Sequence, residues 1–203
     1  MYLPRHFEQT DRDALIALVR GRPLATLIVA TPEGPSADLI PLEFAPDASE
    51  HGTLRGHVAR ANPLWRHEGA AALAVFQGTD AYISPSWYAS KREHGKVVPT
   101  WNYTMVQARG RLRVVDEAPW LHALVERLTQ HHEAAQRAPW QVGDAPADFL
   151  AQMLGAIVGI EIPLDSLLGK WKVSQNRSAA DRQGVADGLM PGEMSALVQP
   201  QRP

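Results

Sequence analysis

The 203 residues are 45% apolar and 21% charged, with no cysteine. One sizeable folded core is therefore expected, while disulfides, thiolate metal sites, iron–sulfur clusters and cysteine nucleophiles are excluded. The net charge of −2 provides no molecule-wide positive field to gather nucleic acid. No apolar run approaches the roughly 18 residues needed to cross a bilayer, and residues 1–12 are charged, so the expectation is a cytoplasmic protein with no membrane segment.

In chain order, Thr10-Asp11-Arg12-Asp13 reads as a capping box before a helix with Leu15, Ile16, Leu18 and Val19 on one face, stopped by Gly21. Residues 24–30 read as a buried strand, Thr31-Pro32-Glu33-Gly34 as a turn, residues 37–44 as the returning strand, and residues 53–58 as a third strand. Asn62 and Pro63 fit the N-cap and first position of a short helix running to about Gly69. Strands follow at 71–77, 82–84 and 103–115, the last with Val106, Ala108, Leu112 and Val114 on one face.

Two amphipathic helices come next. Trp120, Leu121, Leu124, Val125 and Leu128 form the stripe of the first, and Phe149, Leu150, Met153, Leu154 and Ile157 that of the second. Val158, Ile160 and Ile162 then alternate with Gly159 and Glu161 as a final strand. The expected fold class is α+β, mainly β: a closed or nearly closed antiparallel barrel with peripheral helices. A parallel α/β sheet is disfavoured because too little helix separates the strands. A single domain over residues 1–190, with a helical pair near 119–158 and a flexible tail over 191–203, is the expected organisation.

Three segments are richer in polar, aromatic and basic residues than periodicity requires. In Gly56-His57-Val58-Ala59-Arg60-Ala61-Asn62-Pro63-Leu64-Trp65, a basic turn meets a helix N-terminus whose free N–H groups suit a phosphate. The same residues serve equally as a solvated turn with Asn62 as a cap. In Tyr82-Ile83-Ser84-Pro85-Ser86-Trp87-Tyr88 and Lys96-Val97-Val98-Pro99-Thr100-Trp101-Asn102-Tyr103, loop aromatics interleaved with hydroxyls and an amide suit a planar ring, or serve as ordinary interface or core filler. In Lys170-Trp171-Lys172-Val173-Ser174-Gln175-Asn176-Arg177, alternation sends Lys170, Lys172 and Ser174 one way and Trp171 and Val173 the other, giving a cationic row beside a packed aromatic. The eight histidines lack metal-ligand spacing, and no Gly-x-Gly-x-x-Gly, Walker or Gly-x-Ser-x-Gly motif occurs.

These segments, in this order and together with Val75-Phe76-Gln77-Gly78, resemble the PaiB-like family of FMN-binding negative transcriptional regulators. The resemblance runs from Met1 to about Leu189. It implies a split barrel similar to the pyridoxamine-phosphate oxidase group, a homodimer, and FMN in a groove between subunits. By the family pattern His57, Arg60 and Asn62 lie at the phosphate end, while Trp101, Asn102, Lys172, Gln175 and Arg177 line the ring and ribityl side from the other subunit. One position departs: Leu39 stands where the family usually carries a histidine.

The resemblance leaves three function classes to separate. One is a flavin-dependent regulator of gene expression, in which the long loop between the two helices gives DNA contact little support. A second is a flavin-dependent oxidoreductase or flavin reductase without direct DNA binding, in which FMN does the redox chemistry and no side chain is named as acid or base. The third is a dimeric interaction or storage protein with structural flavin.

Overall fold

The computed structural model describes residues 1–46 and 49–199. Its elements begin with a short strand, β1 (Glu8–Gln9), and α1 (Arg12–Gly21). Asp11 starts that helix, its carboxylate accepting the Asp13 N–H at 3.0 Å, so a single Asp11 cap stands in place of the expected Thr10–Asp13 box. β2 (Leu24–Thr31) and β3 (Gly34–Pro41) form a hairpin in register from Leu24↔Pro41 to Thr31↔Gly34. Its turn closes where Gly34, at φ +119°, takes a conformation that favours glycine, and the Thr31 hydroxyl donates to the Gly34 carbonyl at 2.7 Å. Ala25, Leu27 and Val29 alternate into the interior from β2.

β4 (Glu43–Ala45) and β5 (Thr53–Ala59) follow. Asn62 does cap the next element, accepting the Leu64 N–H at 2.9 Å. That element is a single 3-10 turn, Pro63–Arg66, and no helix continues to Gly69. Residues 71–77 and 82–84 prove to be one strand, β6 (Ala71–Ile83). Gly78 permits this continuity, because a Cβ there would collide with the Thr104 and Leu18 side chains.

After α2 (Ser90–His94) come β7 (Thr100–Arg111), β8 (Arg113–Val115), α3 (Ala118–Glu133), α4 (Ala147–Gly155) and β9 (Ile157–Lys172). β9 is much longer than the alternation at 158–162 predicts, and it absorbs Lys170, Trp171 and Lys172, the start of the third basic segment. The sheet order is β3-β2-β6-β7-β9-β5-β4, with β1 and β8 also paired to β9. α5 (Ala179–Gly188) and α6 (Glu193–Val198) complete the chain.

The chain divides into two compact units. The first comprises Met1–Leu18, Phe76–Gln107 and the chain from Leu168; the second comprises Val19–Val75 and Ala108–Leu167. In the first unit Ile83, Tyr88, Val173, Val185, Met194 and Val198 form a buried apolar cluster. The segment expected to be a flexible tail therefore contains α6, which places Met194 and Val198 in that cluster; residues 200–203 lie outside the described residues. In the second unit α3 buries Leu121 and Leu124. α4 buries nothing, leaving Phe149 51% exposed, and Ile157 belongs to β9. The second expected helical stripe is thus only partly covered, with Leu150 and Leu154 half-buried and Phe149 and Met153 exposed.

Candidate functional site

In the first unit, β9 delivers its last residues as alternation predicts. Val173 enters the apolar cluster and Trp171 packs against it. Lys170 and Lys172 share the opposite face, their ammonium nitrogens 5.5 and 6.0 Å from the Tyr103 ring centre. Lys170 is only 8% exposed and donates to the Tyr2 carbonyl at 3.1 Å, with the Tyr2 ring 5.6 Å away. The Lys172 ammonium donates to the Thr100 hydroxyl oxygen and the Trp101 carbonyl.

Beyond β9 the chain turns sharply. Ser174 is buried and has φ +64°, a left-handed conformation uncommon for a residue with a side chain. Its hydroxyl accepts the side-chain amide N–H of Asn102, itself 1% exposed, at 2.9 Å. The Ser174 carbonyl accepts the Arg177 N–H at 2.9 Å. Gln175 closes the same turn, accepting the Val173 N–H at 2.8 Å and donating to the Trp171 carbonyl at 2.5 Å. The Arg177 guanidinium carbon lies 4.7 Å from the Tyr88 ring centre.

Among the described residues none of Lys170, Lys172 and Arg177 forms an ion pair with a carboxylate. The neighbouring acid, Asp181, is committed elsewhere, accepting the Ser90 N–H and hydroxyl at 2.9 Å each. Burial pushes its carboxyl up, but those bonds, Ser178 and the Arg177 charge together hold it below the ordinary value. Lys172 is pulled below its ordinary range, first by burial and then by the Lys170 and Arg177 charges. Cations gathered in this way give a surface that an anion stabilises. Trp101 lies alongside, 55% exposed, edge-on to Tyr82 with ring centres 5.9 Å apart.

The first basic segment lies in the second unit. His57 is half-buried; its Nδ1 is buried without a hydrogen-bond partner, and desolvation pulls its pKa down, so the ring favours its neutral form. Arg60 is occupied by protein acceptors: Nε donates to the Gly155 carbonyl at 2.8 Å, and Nη2 to the Ile157 carbonyl at 3.0 Å. Nη1 and Nη2 grip the two Asp116 carboxylate oxygens at 2.8 and 2.6 Å. Four of the five guanidinium N–H donors are thereby used. Arg60, expected at a phosphate, here ties the end of β5 to Asp116 and to the start of β9. Asn62 donates to Asp38 at 3.3 Å besides capping. A groove of about 340 Å³ runs past Asp38, Leu39, Pro41, His57 and Asn62. The departing residue, Leu39, is 67% exposed there.

The structure thus gathers Trp101, Asn102, Lys172, Gln175 and Arg177 in one unit, and places His57, Arg60 and Asn62 in the other. Lys170, Tyr103, Thr100 and Ser174, which lie in the segments singled out in the sequence but outside the expected site residues, join the first group, and Ser174 turns inward instead of continuing the row of Lys170 and Lys172. The alternation of Lys170 with Lys172 was the available signal for the first of them. No sequence signal marked Ser174 as left-handed. An exposed indole on the residue whose carbonyl receives the Lys172 ammonium, with three nearby cations in no ion pair with a carboxylate, fits a flat phosphorylated ring such as FMN, whose ring stacks on aromatics and whose phosphate is anionic.

Residues 1–166 match a family model described as "Putative FMN-binding domain". The chain is 31% identical to the protease synthase and sporulation protein PAI 2 of Bacillus subtilis, over 93% of this chain and 89% of that protein. It is 32% identical to an uncharacterised protein of Emericella nidulans, over 93% of this chain and 90% of that one. Among solved structures, an FAD and heme binding protein of Mycobacterium smegmatis aligns at TM-score 0.61 and 18% identity, covering 90% of this chain and 80% of the other, which establishes the shared fold. The chain therefore belongs to the PaiB-like FMN-binding family, with that family's split-barrel fold and flavin cofactor.

Proposed function

We propose that this chain is a cytoplasmic, homodimeric FMN-binding regulator of the PaiB type, with the flavin on the Trp101–Lys172–Arg177 surface and its loaded form acting in negative control of gene expression. The observation that carries the binding part is the cluster of Lys170, Lys172 and Arg177 without a carboxylate partner beside an exposed indole. When bound, FMN supplies one- and two-electron redox chemistry. In this reading Lys172 and Arg177 hold its anionic groups, Trp101 supports the ring, and Asn102 and Gln175 shape the turn between them.

The regulatory part draws on the Bacillus relative, named for protease synthesis and sporulation. Direct DNA contact draws little support, since thirteen residues, 134–146, separate α3 from α4, unlike the short turn of a helix-turn-helix pair. The flavin, and not a recognition helix, is thus the centre of the proposal. Titrating FMN fluorescence against the purified protein tests it. Lys172→Ala is expected to weaken binding about tenfold to a hundredfold, the scale of a charge-assisted hydrogen bond. Unchanged affinity in both Lys172→Ala and Arg177→Ala would refute the assignment.

The exposure of Trp101 favours a second reading, a flavin-dependent oxidoreductase, because a site this open leaves room for a reductant. Repeated bleaching of the flavin band by a nicotinamide donor would support it, and a flavin that stays oxidised would dismiss it.

A further inference from the structure

Ser174 is the one residue other than glycine, among the described residues, with a left-handed backbone. Such conformations cost energy for a residue with a Cβ and persist only where surrounding structure holds them. Here the holding group is identifiable. Asn102, on β7 and almost wholly buried, donates its side-chain N–H to the Ser174 hydroxyl at 2.9 Å. Asn102 is next to Trp101 in sequence, and Ser174 lies two residues past Lys172.

The two ends of the turn carry the cations. Lys172 precedes it, fixed by the Thr100 hydroxyl and the Trp101 carbonyl. Arg177 ends it, its backbone N–H held by the Ser174 carbonyl and its guanidinium over Tyr88. Gln175 has its amide oxygen on the Val173 N–H and its amide nitrogen on the Trp171 carbonyl. Asn102 and Gln175 thus direct these polar atoms at the turn. The side chains left to meet a ligand are the Lys172 ammonium, the Arg177 guanidinium and the Trp101 indole, a set that suits an aromatic ring bearing an anionic group.

We infer that Ser174 is a positioning residue: its left-handed backbone, latched by Asn102, fixes the turn that joins Lys172 to Arg177 and so preorganises both cations for one phosphorylated planar ligand. Asn102 then acts through Ser174 and not by touching the ligand. This inference rests on the FMN reading of the surface, so its test carries a variant for each.

The probe is FMN, its dissociation constant read by fluorescence well below the melting temperature of every protein used. Ser174→Gly keeps a residue at home at φ +64° and removes the latch; glycine accepts this backbone without strain, so the fold persists. The expected result is an FMN dissociation constant raised about tenfold, the scale of ordering one freed side chain on binding, while the melting temperature of the FMN-free protein falls through the Asn102 amide left buried without a partner. Asn102→Ala, which leaves the serine in place, is expected to weaken FMN to a similar degree. The inference is overturned if Ser174→Gly and Asn102→Ala bind FMN as the parent does while Lys172→Ala does not. It is likewise overturned if Ser174→Gly lowers the melting temperature but leaves FMN affinity intact, the mark of a purely structural role. Failure of the underlying reading looks different: Lys172→Ala and Arg177→Ala would then bind FMN as tightly as the parent.

Discussion

Lys172 and Arg60 illustrate how one residue type diverges in role once its neighbours are known. Lys172 lies among Lys170, Arg177 and the Tyr103 ring, and burial with those charges holds its pKa below the ordinary lysine value. Its folded-state pKa lies under its unfolded one, so the unfolded chain binds more protons in the window between them. The FMN-free protein should therefore gain stability as pH rises through that window. An anion has the opposite dependence, because it binds the charged amine. FMN affinity should fall as pH rises from neutrality toward the ordinary lysine range, above the second phosphate ionisation near 6, and Lys172→Arg should flatten that dependence. A parent protein whose FMN affinity does not change over this range would contradict the assignment. Arg60 offers the contrast, with its donors on Asp116, Gly155 and Ile157. Arg60→Ala should lower the melting temperature while FMN affinity stays near that of the parent; thermal denaturation and FMN titration separate the two effects. Lys170 and Lys172 were legible because alternation puts them on one face. The fate of Arg60 was not, because Asp116 lies 56 positions away and nothing local announces the pairing.

At the scale of elements, hairpins and caps were legible because their causes are local. Asp11, Asn62 and the Thr31–Gly34 turn work as their residue types dictate. β6 was read as two pieces because Gly78 and the polar residues after it break the apolar pattern, and the tertiary reason for Gly78, room for Thr104 and Leu18, is invisible locally. α5 and α6 escaped notice because their apolar stripes are short. α6 is nevertheless fixed: Arg182 donates to the Val198 carbonyl at 3.0 Å and to the Gln199 carbonyl at 2.7 Å, satisfying groups that a helix end leaves open. α5 packs so closely on Trp87 that a Cβ at Gly188 would overlap the indole. Gly188→Ala should accordingly destabilise the fold by about 1–3 kcal/mol, the usual range for overpacking. Denaturant unfolding measures it, and a change under about 0.5 kcal/mol, the level of an unconstrained surface site, would mean that α5 yields freely.

For the whole molecule, the sequence carried the class of fold and family more securely than the position of the ligand. The mainly β class and the antiparallel order follow from period, turns and short connections, whereas β1, α2, α5 and α6 among the described residues carried no such signal. The distribution of the expected site residues over two compact units was not legible, because unit boundaries depend on contacts between distant segments. No helix among the described residues is long and apolar enough to cross a membrane. Leu39 on β3 and Phe149 and Met153 on α4 nevertheless remain exposed, apolar surface that the proposed homodimer would cover. Light scattering after size exclusion should therefore give twice the chain mass, and a monomer at micromolar concentration would remove the dimer from the account. A crystal structure of the FMN complex decides where the flavin lies. Flavin atoms are expected within hydrogen-bond distance of the Lys172 ammonium, with the ring against Trp101; FMN seated elsewhere, with Lys172 and Trp101 facing only solvent, would overturn the assignment.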